Sequence, residues 1–210
     1  MKNHNACQWI FISLACVGLP ACGGLLNSDE AVQHTYWLQP YSMQQSPLPA
    51  QDSPGLVVRF NVVPGLDSDR LLTLAPDAEL NHVAGARWPD ALPEFAGSLI
   101  RRSLRTAGWF SRVSDESNSA PQDCELDLLA LKFYTLLDSV GAASSVQISM
   151  SGQFECRGLS HAVDLDVNVR VSQNRAIGVV SAHQEAMNSL TRSLLKQLGS
   201  FMASTPSVEE

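Results

Sequence analysis

The chain has 210 residues, with 14 basic and 21 acidic side chains for a net charge of −7, and a mean hydropathy of −0.01. This balance argues against a nucleic-acid partner, because phosphate binding needs clustered Lys and Arg. The length and the 45% hydrophobic content suit one domain with its own core.

Residues 1–21 read as a secretory signal. Lys2 is their only charged side chain, and the apolar run 6–17 is broken only by Gln8 and Ser13. That run falls short of the ~20 residues a membrane-spanning helix needs. Leu19-Pro20-Ala21-Cys22 resembles the bacterial lipobox, which makes Cys22 the first mature residue and an acylated one. Two alternatives stay open: an ordinary signal with Cys22 a bystander, or cleavage after Ala15 with Cys16 lipidated. Buried acyl chains contribute about 0.8 kcal/mol per methylene, so the three chains of a mature lipoprotein anchor it durably. Gly23 stands where an aspartate would retain the protein in the inner membrane, so the expected location is the outer membrane, periplasmic face. Without residues 1–21 the chain keeps 13 basic and 21 acidic side chains, a charge of −8. Cys7 and Cys16 leave with the signal and Cys22 is acylated, which leaves Cys124 and Cys156 as an even pair in an oxidising compartment.

Residues 22–54 are mostly small and polar, with Gln, Ser and Pro crowded into 44–54, and read as the lipidated N-terminus and a tether. The β-prone stretch 35–39 is the exception and could add a strand to the domain behind it. The domain itself is expected over 55–204, with 205–210 a flexible tail. Its strands begin at 56–63, followed by a Pro64-Gly65 turn, a strand at 70–74 and a weaker one at 79–83.

The period then changes. Leu92, Phe95, Ala96, Leu99, Ile100, Ser103 and Leu104 recur at three- and four-residue spacing, with Pro93 suited to a first turn and Gly108 to a C-terminal stop. A short strand at 110–113 follows this amphipathic helix. Residues 124–137 and 146–156 alternate with period two. An antiparallel hairpin turning near Val140-Gly141 would set Cys124 opposite Cys156, Leu126 opposite Phe154, Leu128 opposite Gly152 and Ala130 opposite Met150. One register thus accounts for both the cysteines and the apolar face. Residues 163–171 continue the alternation as a third strand. A strand at 177–181 and a helix over 184–202 complete an α+β, two-layer domain: a mainly antiparallel (mixed) sheet with two helices packed on one face.

The sequence holds no Walker A, G-x-S-x-G, C-x-x-C or H-E-x-x-H motif. Its expected catalytic residues, metal ligands and cofactors are therefore none. His34, His82, His161 and His183 lie in separate segments and read as loop or surface histidines. Asp164, Asp166 and Asn168 share one strand face, opposite an aliphatic one, and read as solvated alternation. Arg101, Arg102 and Arg105 read as a solvated helix face. Trp88, Trp109 and Phe110 flank the first helix; core packing is the simpler account, and a hydrophobic contact site is the alternative.

From Ala86 to Val113 the chain resembles the ABC-type transport auxiliary lipoproteins, the family that includes the paraquat-inducible PqiC lipoproteins. The features that carry the resemblance occur in order: Cys22 with its tether, Tyr36-Trp37-Leu38, and a strand ending in Val63-Pro64. They continue with Leu66, Asp67 and Arg70, the helix start at Trp88, Leu92 and Pro93, and an exit at Gly108, Phe110 and Val113. The Cys124/Cys156 pair and a long loop after Asp115 depart from that pattern. The resemblance implies a non-enzymatic outer-membrane lipoprotein. It would work with an MCE-domain protein and an ABC permease in moving lipids, with homo-oligomerisation left open. Two other readings remain: a structural lipoprotein that seats a secretion or envelope-assembly machine, and a lipid carrier with its own cavity between sheet and helices.

Overall fold

The longest pairing in the molecule joins β6 (Cys124–Leu137) to β7 (Ala143–Cys156) in the computed structural model, which describes residues 32–43, 53–115 and 124–204. The expected register is found: Cys124 faces Cys156, Leu126 faces Phe154, Leu128 faces Gly152 and Ala130 faces Met150. A Cβ on Gly152 would lie 1.9 Å from the Asp127 carbonyl oxygen, so only glycine fits there. Beyond Ala130 a bulge shifts the pairing to Lys132 opposite Ser149. The inserted residue changes which side chains point inward. Before it Leu126, Leu128 and Ala130 are buried; after it Phe133 and Thr135 are.

Around the hairpin the elements are, in chain order, β1 (His34–Thr35), β2 (Gly55–Val62), β3 (Arg70–Leu74), β4 (Leu80–Arg87), α1 (Leu92–Ala107) and β5 (Arg112–Ser114). After β6 and β7 come β8 (Leu159–Arg170) and α2 (Ala176–Ser204). They form an eight-stranded mixed sheet. β8 pairs antiparallel to β7 along its whole length. On the other edge of β6 lie both β2 and β3, parallel to it and one after the other. β2 takes Cys124 to Ala130, and β3 takes Thr135 and Leu136. The Pro64-Gly65 turn is present, but it does not fold these strands against each other. The chain leaves the sheet there, buries Leu66, and rejoins the same edge further along. β4 runs antiparallel to β3, β1 parallel to β4, and β5 parallel to β2.

Both helices draw on one face of this sheet in a single apolar cluster. Every α1 residue expected to face inward is buried, Pro93 sits in the first turn, and Gly108 closes the helix in the left-handed region at φ 69°. The buried Ser103 hydroxyl donates to the Leu99 carbonyl and accepts the Tyr41 N–H. α2 starts earlier than the sequence suggests. Residues 177–181, expected as a strand, are its first turns. The β-branched Val179 and Val180 favour a strand by propensity, but both are buried on a seam that continues through His183, Met187, Leu190 and Leu194. Tertiary burial at helical spacing overrides the local preference.

Residues 22–54 are not all tether. Leu38 is 2% exposed and belongs to the core. Tyr36 donates its N–H to the Arg87 carbonyl, continuing the edge pairing of β1. Gln39 and Gln184 of α2 exchange two hydrogen bonds, at 2.6 and 2.9 Å. Tyr41 receives the Thr106 hydroxyl on its carbonyl, and its ring lies under the Arg192 guanidinium. Residues 36–41 therefore form a strap from the sheet edge across both helices. The signal 1–21, Cys22 and the tail 205–210 lie outside the described residues.

Truncating the anchor of this strap, Leu38→Ala, is expected to lower stability by about 2–5 kcal/mol through lost burial and a residual cavity. Urea denaturation checks this. An effect within the roughly ±0.5 kcal/mol usual for surface positions would mean the strap is not docked.

Candidate functional site

The aromatic residues singled out in the sequence separate into two groups near opposite ends of α1. At its start, Trp88 is 1% exposed and stacks on Phe95 at 5.1 Å, with Phe133 and His183 edge-on at 6.1 and 5.3 Å. It is a core residue, held in place by its N–H donating to the Asp69 carbonyl. At the other end, Phe110 is buried edge-on to Phe154. Trp109 is half-buried beside Gly199 of α2, where a Cβ would come within 3.0 Å of the indole. Trp88, Trp109 and Phe110 thus do not form one contact surface. The exposed aromatic is Trp37, at 64%, which alternates outward between Tyr36 and the buried Leu38.

His183 corrects the surface reading of the histidines: it is fully buried, whereas His34 and His82 are exposed and His161 is half-buried. Its Nδ1–H donates to the Val179 carbonyl at 3.0 Å, which leaves Nε2 an acceptor without a partner. Burial lowers its pKa to about 4, against the smaller opposing effect of that hydrogen bond. Among the described residues no cluster of His, Cys, Asp and Glu could hold a metal ion. Asp164 and Asp166 stand on the face of the sheet away from the helices, opposite Ser151 and Ser149, and Lys132 lies 4.0 Å from Asp166. The three arginines of α1 divide: Arg101 reaches Asp115 at 3.6 Å, Arg105 donates to the Val113 carbonyl, and Arg102 stays exposed.

Three hollows lined by described residues lie at the end of the domain where β6 begins, β7 turns into β8, and α2 finishes. There Cys124 and Cys156 form a disulfide across the hairpin, with Cα atoms 4.0 Å apart. One hollow of about 140 Å³ is lined by Pro54, Cys156, Arg157, Phe201 and Met202. A groove of about 510 Å³ runs along the last turns of α2 and shares Phe201 with it. A third, of about 260 Å³, carries Glu125 and Glu155 beside the disulfide. Phe201 stands at the centre, edge-on to Phe154 at 5.5 Å and stacked on His161 at 5.4 Å. By contrast Trp88, Phe133, Phe154 and Ile148 fill the interior between sheet and helices. Sequence reasoning located the disulfide but missed these hollows, whose walls come from four distant segments.

These features define an α+β protein with helices on one face of a mixed sheet and a long hairpin closed by a disulfide. A solved structure from Xanthomonas campestris, described as DUF330, shares this fold at a TM-score of 0.64 and 16% identity. The match covers 82% of this chain and all of that one. A second, an uncharacterized protein, aligns at a TM-score of 0.59 and 15% identity over 76% of this chain and 99% of its own. No protein-family model matches the sequence, and no curated protein is significantly similar to it.

Two measurements probe this geometry. Replacing both cysteines by serine reopens a loop whose ends are 32 residues apart, and is expected to cost about 3–4 kcal/mol in the chain-entropy model. Urea denaturation with and without reductant reads this loss, which reductant should reproduce in the wild type and not in the variant. For His183, the folded-state pKa lies below the ordinary 6.5, so between about pH 6.5 and 4 the unfolded chain binds the extra proton. Stability from the neutral ring is fully present above that window and falls as pH drops through it, by about 3 kcal/mol at 1.36 kcal/mol per unit. His183→Leu should lose this share of the acid sensitivity when the two proteins are compared by denaturation at pH 7 and pH 4.5.

Proposed function

We propose that this chain is a lipid-anchored protein of the bacterial outer membrane, facing the periplasm. It would serve as a non-catalytic auxiliary component of an ABC/MCE-type system for moving lipids between membranes. The observation that carries the reading is the ordered set of motifs resembling the auxiliary lipoproteins, headed by the lipobox at Cys22. The shared fold with the DUF330 structure supports it at the level of architecture. Of the motif residues, Leu66, Trp88, Leu92, Phe110 and Val113 are core positions. They specify the scaffold, and the activity lies in where the scaffold is held.

The docked strap changes the reach of the anchor. Between Cys22 and His34, where β1 begins, lie only residues 23–33. Fully extended, that chain spans about 40 Å, so the domain stays close beneath the membrane that holds its acyl chains. A partner crossing the periplasm would come to it there, and position relative to that partner is its contribution.

The test is chemical and then cellular. Cys22→Ala is expected to abolish the acyl mass increment on the mature N-terminus and release the protein from the membrane fraction. Cross-linking in intact cells should capture an MCE-domain protein with the wild type and lose it with the variant. Capture of secretion or assembly components instead would replace this reading with that of a structural lipoprotein. An unmodified wild-type cysteine would remove the anchor from both.

A further inference from the structure

We infer that the disulfide end carries a binding site for an anionic amphiphile, a phosphate- or carboxylate-headed lipid. Its head group would lie where the groove along α2 meets the hollow at Phe201, between the elements that carry Lys196 and Arg157, and its acyl chain in the apolar part of the hollow. This deepens the lipid-transport reading and rests on it only for the biological source of the ligand.

The two spaces differ in chemistry and meet at one ring. The hollow is walled by Pro54, Cys156, Phe201 and Met202, with Arg157 in the same lining. The groove is walled by His161, Ser193, Lys196, Gln197, Ser200 and Ser204, with Phe201 again shared. It is an open groove of about 510 Å³. Each space carries a cation, and neither has a carboxylate in its lining. In a chain of net charge −7 that separation of sign is informative. Glu155 belongs to the neighbouring hollow, on the strand face opposite that of Phe154 and Cys156. Among the described residues, neither Arg157 nor Lys196 makes an ion pair, and both are exposed. Hydroxyls and an ammonium suit a phosphate or carboxylate head, and an apolar hollow beside them suits a chain.

A second, independent observation is the backbone of Arg157. It and Gly158 form the two-residue turn between β7 and β8, with φ values of 52° and 76°. Such type I′ turns favour Asn-Gly, because asparagine adopts the left-handed region more readily than arginine. Two non-glycine residues among those described have a positive φ, Ala78 and Arg157, and Arg157 is the one that lines the hollow. An unfavourable backbone at a site wall points to use of the side chain there.

The turn makes the test discriminating. The full chain carrying Cys22→Ser, whose own acyl chains cannot fill the hollow, is titrated by calorimetry with dihexanoyl phosphatidylglycerol, dihexanoyl phosphatidylcholine and inorganic phosphate. One phosphatidylglycerol should bind per chain, with the phosphatidylcholine at least about tenfold weaker and inorganic phosphate weaker still. Arg157→Asn should weaken the anionic lipid about tenfold while leaving Tm unchanged or raising it. That combination separates a ligand contact from a structural role. Lys196→Ala, at an exposed position, should weaken it to a similar degree. Equal affinity for the two lipids, phosphate binding as tightly as lipid, or no change in either variant would overturn the site. Those results would leave the transport reading to its own cross-linking test.

Discussion

The antiparallel pairing of β6 with β7 is the constraint on which the rest of the molecule depends. Each strand has 14 residues, long enough for one edge of the pair to take β8 and the other to take β2 and β3 in tandem. Two local features make this possible. Gly152 lets the backbones approach where any side chain would collide with Asp127. The bulge after Ala130 then resets the inward face, so that Phe133 rather than Lys132 meets the helices. A strand with a two-residue period cannot otherwise keep one face apolar when its sequence shifts phase by one.

Among the described residues the sheet is covered on one side only, and the helices that cover it are tied together from outside by residues 36–41. Ser103 and Thr106 on α1, and Gln184 and Arg192 on α2, all engage this strap. Residues 36–41 are thus an integral part of the fold, pinned to the sheet edge and to both helices.

The motifs by which the sequence resembles the auxiliary lipoproteins and the features of the candidate site belong to different parts of the structure. Of the motif residues, Leu38, Leu66, Trp88, Leu92, Phe110 and Val113 are buried, while Trp37, Pro64 and Asp67 are exposed. The hollows lie at the disulfide end, built from the β7–β8 turn, the start of β2 and the close of α2. A sequence motif survives in legible form when its residues are close in the chain and each has one packing solution, as around Trp88. A site assembled from Pro54, Arg157, Lys196 and Phe201 has no spacing to read.

The sequence by itself determined the elements whose period is strong: the inward face of α1, its proline start and glycine stop, the alternation of β7 and β8, and the hairpin register that brings Cys124 to Cys156. Those follow from local geometry, since 3.6- and 2-residue repeats place side chains on a face without reference to anything distant. Only the tertiary structure decided that residues 177–181 are helix, that Leu38 is core, that β2 and β3 share one edge, and that His183 is interior while Trp37 is outside. In each of these the local preference is weak or divided. The outcome turns on which distant surface is there to exclude water from the side chain, and that surface exists only once the sheet has formed.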